Sequence, residues 1–135
     1  MPDDGFLVEV VGGAPVVVAP KEIDITNAEA LESALLKAAA SAPGPLVVDM
    51  TRTEFCDSSG PHALAAAHKR AEAEGREVLL VVPSALVLRV FALIGVDRMI
   101  PNFTSLADAL ARPAGTANGP SRQSAIDLAV GRPAR

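Results

Sequence analysis

The segment Asp57-Ser58-Ser59-Gly60 carries the side chains of this 135-residue sequence that are best suited to chemistry. It follows a predicted buried strand and precedes a helical stretch, and α/β folds place their sites at the carboxyl ends of such strands. A helix N-terminus offers free N–H groups and a partial positive charge, both of which favour an added phosphate. The hydroxyl of Ser58 is therefore a candidate phosphorylation site.

The same segment also suits a purely structural role. Ser58 or Ser59 can be the N-cap of the following helix, and Asp57 can favour the dipole of that helix. A cap and a modification site are compatible with each other, and local chemistry leaves both interpretations open.

Enzyme signatures are missing from the sequence. It contains no G-x-x-x-x-G-K-[ST] phosphate loop and no G-x-G-x-x-G fingerprint, and Ser58 is not set in a G-x-S-x-G elbow. Ser58 and His62 can touch on one helix, but no segment supplies the orienting acid and oxyanion hole of a hydrolase. His62 and His68 are six residues apart and cannot share a metal on one helix. We expect no enzymatic activity, no cofactor and no metal.

Composition narrows the set of partners. The formal net charge is −4, basic residues are scattered, and the four Phe are the only aromatic residues, so we expect no direct binding to nucleic acid. The single cysteine, Cys56, excludes an internal disulfide and suits a reducing compartment. Asp57 beside it should raise the pKa of the thiol, which favours a buried structural role over redox sensing.

No segment of the sequence has the pattern of a membrane or export signal. The N-terminus has no basic start followed by an apolar run, and no apolar stretch approaches about 20 residues. We therefore expect a cytoplasmic protein that has no contact with a membrane.

The sequence pattern of the first half of the chain predicts strands and one helix. Residues 6–11 and 15–19 are β-branched runs separated by Gly12-Gly13-Ala14, which indicates a hairpin. Thr26 followed by Glu29 fits a capping box at the start of a helix. Residues 46–50 form a short apolar run that is typical of a strand buried on both faces.

The second half repeats the alternation. Helical spacing over residues 63–74 leads to a second buried strand at 78–82. Ser84 opens a third helix that ends at Gly95, and its apolar stripe is expected to contain Leu86, Val90, Phe91 and Leu93. A short strand at 98–100 and a last helix at 105–111, capped by Ser105, complete the pattern.

This alternation predicts parallel β-α-β units that are entered through an antiparallel hairpin. Residues 1–112 are expected to form a single domain. From residue 113 to 135 the composition shifts to Pro, Gly, Ser, Ala and Arg, which predicts a disordered tail.

The run V-D-M-T-R-T-E-F-C-D-S-S-G at residues 48–60 resembles the signature of STAS domains, in particular those of bacterial anti-sigma factor antagonists. Glu22-Ile23-Asp24 resembles the G-E-[LI]-D of that family, and Leu93-Ile94-Gly95-Val96 resembles its S-G-L segment. The resemblance spans about residues 6–111.

This resemblance implies an α/β fold with a four- or five-stranded mixed sheet and helices packed mainly on one face. It also implies a partner switch, in which an anti-sigma factor that is itself a GHKL-type serine kinase phosphorylates Ser58. The unphosphorylated protein would bind that anti-sigma factor, the phosphorylated one would release it, and a serine phosphatase would reset the cycle. Residues matched to the partner-binding surface of the family are Asp24, Asp57, Ser59, Gly60 and His62.

The sequence departs from the family pattern near the serine. Lys21 replaces the Gly of G-E-[LI]-D, and Gly60-Pro61-His62 replaces Gly-Leu-Gly, which changes the surface offered to a kinase. Asp24 can also act only as an acid that favours the dipole of the first helix. Two other functions stay open: a constitutive scaffold subunit of a signalling or lipid-transport complex, and a module that senses a nucleotide.

Overall fold

The computed structural model describes residues 6–112. In chain order the elements are β1 (Leu7–Val11), β2 (Ala14–Val18), β3 (Glu22–Ile23), α1 (Ala28–Ala39), β4 (Leu46–Asp49), β5 (Phe55–Cys56), α2 (Ser59–Ala73), β6 (Val78–Val81), α3 (Ala85–Ile94), α4 (Val96–Met99), β7 (Asn102–Phe103) and α5 (Leu106–Leu110). The predicted disordered tail at 113–135 lies outside the described residues.

The strands form a five-stranded mixed sheet in the order β1-β2-β4-β6-β7. The β1–β2 hairpin is antiparallel, and every later pairing in this sheet is parallel. Gly12 and Gly13 have φ values of 57° and 83° in the hairpin turn, which glycine adopts without strain. The predicted hairpin, the parallel crossovers and the fold class are confirmed.

Successive residues of the central strands point into two separate cores. Val17, Val48 and Leu80 face the larger core, where they pack with α1, α2 and α3. Their neighbours Val16, Val47, Leu79 and Val81 face the other side, where Ala109 of α5 lies among them. Both faces of these strands are covered, which explains why their sequences are apolar without alternation.

A second, two-stranded sheet was not predicted. β3 and β5 pair in parallel, with Glu22 opposite Phe55 and Ile23 opposite Cys56. Each strand has only two residues, so neither shows the alternation by which a strand is recognised in a sequence. This small sheet brings together the two loops that carry Asp24 and Asp57.

Two predicted helix starts are wrong. Thr26 and Glu29 form no capping box, because the Thr26 hydroxyl donates to Asp24 Oδ1 at 2.5 Å and α1 begins after Asn27. α2 begins at Ser59, four residues before the predicted start at 63. Gly60 and Pro61 occupy the first turn of α2, where a proline loses no intrahelical hydrogen bond. Because both residues have low helix propensity, the sequence does not indicate a helix at these positions.

The segment around α3 was predicted in part. Ser84 accepts a hydrogen bond from the Val87 N–H at 3.3 Å, and Gly95 ends the helix with φ 95°, as expected. The predicted stripe is wrong at Leu86 and Leu93, which are exposed. The predicted strand at 98–100 is also wrong, because α4 occupies residues 96–99. The strand that pairs with β6 is β7, at residues 102–103.

The last helix, α5, begins as predicted, with the Ser105 hydroxyl accepting a hydrogen bond from the Asp108 N–H at 3.1 Å. Within residues 6–112, none of the helices combines the length and the apolar character needed to cross a membrane.

Candidate functional site

The loops that follow β3 and β5 meet at the carboxyl end of the small sheet. Asp24 directly follows β3 and Asp57 directly follows β5, and the two strands are paired in register. The backbone N–H of Asp57 donates to the carbonyl of Ile23 at 3.1 Å, which continues the pairing into the loops. The sequence motif that carries Ser58 is therefore fixed against the segment that carries Asp24.

The carboxylate of Asp57 organises the turn before α2. Its Oδ1 accepts the backbone N–H of Ser59 at 2.9 Å and also the Ser59 hydroxyl. These hydrogen bonds, chiefly the one from the hydroxyl, and a further one from the backbone N–H of Ile25 hold the pKa of Asp57 below its ordinary value, against an opposing effect of burial. Asp57 is therefore a carboxylate at neutral pH.

Ser58 lies in the middle of this turn and is exposed. It occupies the N-cap position of α2 with φ −64° and ψ −18°, but its side chain makes no capping hydrogen bond. Ser58 is thus the N-cap residue by position, as expected, but the side-chain acceptor for the first N–H of α2 is Asp57. The Ser58 hydroxyl is left free for a reaction.

The N–H groups of Ser59, Gly60 and His62 in the first turn of α2 already have acceptors, contrary to expectation. The N–H of Ser59 donates to Asp57 Oδ1, that of Gly60 to the Asp57 carbonyl at 3.1 Å, and that of His62 to the Ser58 carbonyl at 3.2 Å. Pro61 has no N–H to donate. A phosphate on Ser58 would therefore be favoured by the helix dipole but would receive none of these three N–H groups.

Gly60 is buried against the inner side of the small sheet. A Cβ at this position would overlap Cys56 Sγ and lie 3.1 Å from Ile23 Cγ2. Glycine is thus required for α2 to approach β3 and β5 closely, and this approach places the preceding serines at the surface. Gly60 positions the site instead of presenting a side chain to a partner.

Cys56 is buried, as predicted, with 4% of its surface exposed. Burial, with a smaller contribution from the charge of Asp57, raises the pKa of the thiol from 9.0 to about 12. The thiol is neutral under physiological conditions and packs under Gly60, which agrees with a structural role.

Asp24 is half-buried and builds a turn of the same kind as Asp57. Its Oδ1 accepts the N–H of Thr26 at 2.9 Å as well as the Thr26 hydroxyl. Its own N–H donates to Asn27 Oδ1 at 2.9 Å, and the Asn27 amide donates to the Glu22 carbonyl. Asp24 therefore holds the β3–α1 loop rigid beside Asp57.

The two histidines do not share a site. His62 is exposed on the first turn of α2, whereas His68 is half-buried and its Nδ1 has no hydrogen-bond partner among residues 6–112. Among residues 6–112, no three His, Cys, Asp or Glu side chains lie close enough together to hold a metal ion.

Two exposed apolar residues near Ser58 were missed by sequence reasoning. Ile25 is 77% exposed in the β3–α1 turn, and Phe55 is 52% exposed on β5. Ile25 follows Ile23 at the spacing of a strand, but the turn at Asp24 separates the two. Phe55 is the aromatic residue of the run at 48–60, and no signal in the sequence shows that its ring is exposed.

Comparison with known proteins agrees with this geometry. The STAS domain family model matches residues 6–109. The anti-sigma-F factor antagonist RsfB of Mycobacterium tuberculosis is 34% identical over 100 residues, which are 73% of this chain and 80% of that protein.

Two solved structures extend the comparison. An anti-sigma factor antagonist from Mycobacterium paratuberculosis has 36% sequence identity and a TM-score of 0.66, covering 82% of this chain and 94% of that one. The Bacillus protein SpoIIAA in its phosphorylated form shares the fold at 22% identity and a TM-score of 0.59, covering 78% of this chain and 96% of that one. The chain belongs to the STAS domain family, and its relatives in sequence are anti-sigma factor antagonists.

Proposed function

We propose that this protein is an anti-sigma factor antagonist controlled by phosphorylation of Ser58. In the unphosphorylated state it binds an anti-sigma factor of the GHKL serine-kinase type, and phosphorylation by that kinase releases it. A serine phosphatase restores the binding form. The observation that carries the proposal is the exposed hydroxyl of Ser58, which makes no capping hydrogen bond. It lies between Asp57 and Ser59, whose side chains are hydrogen-bonded to each other.

The geometry supports Ser58 as a substrate of a kinase and not as a nucleophile of this protein. No hydrogen bond links its hydroxyl to a base within the described residues, so nothing activates it for attack. A kinase brings its own catalytic groups and needs only an accessible hydroxyl. Phosphorylation breaks no hydrogen bond of the Ser58 side chain, so the fold should tolerate the modification.

Charge and desolvation explain how a phosphate would release a partner. It adds about −1.5 to −2 charges next to the carboxylate of Asp57. The N–H groups of Ser59, Gly60 and His62 already have acceptors and do not neutralise it. A partner surface shaped for a neutral hydroxyl would have to bury this charge unpaired, which costs several kcal/mol.

The residues around Ser58 divide into two groups in this proposal. Asp57, Ser59 and Gly60 set the position of Ser58 through the turn and the close packing of α2. Asp24 and His62 contribute to the surface that the anti-sigma factor contacts. The functional unit is the single domain at residues 1–112, and the protein works in the cytoplasm together with its kinase and phosphatase.

Similar proteins support the proposal without deciding it. RsfB is named as an antagonist of an anti-sigma factor, and SpoIIAA has been solved in a phosphorylated form. SpoIIAA shares the fold of this chain, and RsfB is 34% identical to it over 100 residues.

The test is a binding and phosphorylation assay with the purified GHKL-type anti-sigma kinases of the source organism. Ser58→Ala should bind one of these kinases like the wild type and accept no phosphate, whereas Ser58→Asp should bind at least about 10-fold more weakly. Ser33→Asp, on an exposed position of α1, is the matched control and should bind normally. Equal affinity of Ser58→Ala and Ser58→Asp would reject the switch and favour a constitutive scaffold.

A further inference from the structure

We infer that Ile25 and Phe55 are the apolar anchors by which this protein holds its anti-sigma factor, and that the partner meets them with an apolar pocket rimmed by basic groups. This inference rests on the proposed function and adds to it the residues that provide the affinity.

The two side chains come from the two segments that the small sheet joins, Ile25 from the β3–α1 loop and Phe55 from β5. The backbone N–H of Ile25 donates to the Asp57 carboxylate, which places Ile25 beside the residue that precedes Ser58. Phe55 is the first residue of β5, two residues before Asp57 in the chain, and its neighbour Cys56 points into the core. Alternation along β5 therefore places Phe55 and Asp57 on the outer side of the small sheet.

Both anchors are held by a rigid backbone although their side chains are exposed. Ile25 lies inside the turn closed by the hydrogen bonds between Asp24 and Thr26. The N–H of Phe55 donates to the Lys21 carbonyl at 3.2 Å. A large apolar side chain on a fixed backbone loses little entropy on binding, which is the usual property of an interface hot spot.

The charges around the anchors define the kind of partner. The two segments that the small sheet joins, residues 21–24 and 54–57, carry one cationic side chain, Lys21, against four carboxylates, those of Glu22, Asp24, Glu54 and Asp57. Lys21 lies 3.9 Å from Glu54, and both side chains are largely exposed, so the pair neutralises little of the field. The complementary surface is apolar over Ile25 and Phe55 and basic at its margin.

This arrangement also explains why a phosphate would weaken the contact despite a basic margin. Ser58 directly follows Asp57, whose carboxylate is bonded to the Ile25 N–H, so a partner that covers the Ile25 side chain would also cover Ser58. A phosphate there would be buried against apolar groups instead of reaching the cationic margin.

The experiment measures the affinity of Ile25→Ser and Phe55→Ser for the same purified GHKL-type anti-sigma kinases by titration calorimetry. Val10→Ser is the matched control, because Val10 is 52% exposed, like Phe55, and lies on β1 beside the hairpin turn, in the five-stranded sheet and not in the small one. Circular dichroism and thermal melting verify that each variant is folded, with Ile25→Ala and Phe55→Leu as milder replacements.

Each anchor variant should raise the Kd at least about 10-fold, whereas Val10→Ser should leave it unchanged. The association rate of the wild type should fall with added salt. Folded anchor variants that bind like the wild type would overturn the inference and leave the proposed function intact. If no kinase binds even the wild type and Ser58→Ala, the proposed function fails and the inference fails with it.

Discussion

The carboxylate of Asp57 and the hydroxyl of Ser59 are hydrogen-bonded to each other, and the same carboxylate oxygen accepts the N–H of Ser59. Equivalent turns follow two other strands, with Asp24 bonded to Thr26 and Asp49 bonded to Thr51. The middle residue of such a turn contributes no side-chain hydrogen bond to it. Ser58 is the only one of the three middle residues with a hydroxyl, which is why that hydroxyl is free.

This difference between neighbouring serines predicts different costs of removing each hydroxyl. Ser59→Ala should lower the free energy of unfolding by about 0.5–1.5 kcal/mol, because it removes the bond to the Asp57 carboxylate. Ser58→Ala should change it by less than about 0.5 kcal/mol, since no cap is lost. Urea denaturation of both variants checks the order, and a larger loss for Ser58→Ala would contradict the described turn.

The lowered pKa of Asp57 predicts a pH dependence of stability. Because the native pKa lies below the ordinary 3.8, the ionised carboxylate stabilises the fold above pH 3.8, and this contribution is lost as the pH falls through the native pKa. In Asp57→Asn the side-chain oxygen can still accept the hydrogen bonds of the turn, but the side chain does not titrate. The difference in free energy of unfolding between wild type and variant should therefore shrink below pH 3.8, and a constant difference would exclude this role of the charge.

The close packing of Gly60 on Cys56 predicts a coupled pair. Gly60→Ala should destabilise the protein by about 1–3 kcal/mol, because its methyl group overlaps Cys56 Sγ. Cys56→Ala removes that sulfur, so the double variant should be more stable than the sum of the two single effects predicts. Strict additivity in a double-mutant cycle would show that α2 does not approach the small sheet as described.

The raised pKa of Cys56 predicts a thiol that does not react in the native protein. At pH 8, iodoacetamide should modify native Cys56 at least about 100-fold more slowly than the urea-unfolded chain, because little thiolate exists and the sulfur is buried. Intact-mass spectra over time measure both rates. Rapid native labelling would return the thiol to consideration as a redox sensor.

The main architecture was predictable because the central strands are buried on both faces, and such strands are recognisable in the sequence as short apolar runs. Apolar runs around Val47 and Leu80 and the glycines at the hairpin turn were sufficient to indicate a parallel sheet entered by a hairpin. The D-S-S-G segment then identified Ser58 through its resemblance to STAS domains.

The finer geometry of the site was not predictable in the same way. β3 and β5 are too short to show a period, and Gly60 and Pro61 conceal the first turn of α2. The sequence does not show whether Ser58 or Ser59 donates its hydroxyl hydrogen bond to the Asp57 carboxylate. That choice is set by the turn geometry and not by residue type, since both side chains are identical.

The same limit explains the exposed residues that were expected inside. Leu86 and Leu93 fit a helical period, but the face of α3 that contacts the core is set by Val87 and Phe91. Periodicity identifies a helix and does not by itself decide which apolar stripe is buried.

The most direct test of the central claim is the phosphorylation state of Ser58 in the native cells. Intact-mass analysis with peptide mapping, on protein isolated with and without stress, measures the occupancy of phosphate at each serine. The account predicts a single phosphate at Ser58 whose occupancy changes with stress, and none at Ser59. Absence of phosphate under all conditions, or its presence at Ser59 instead, would contradict the switch.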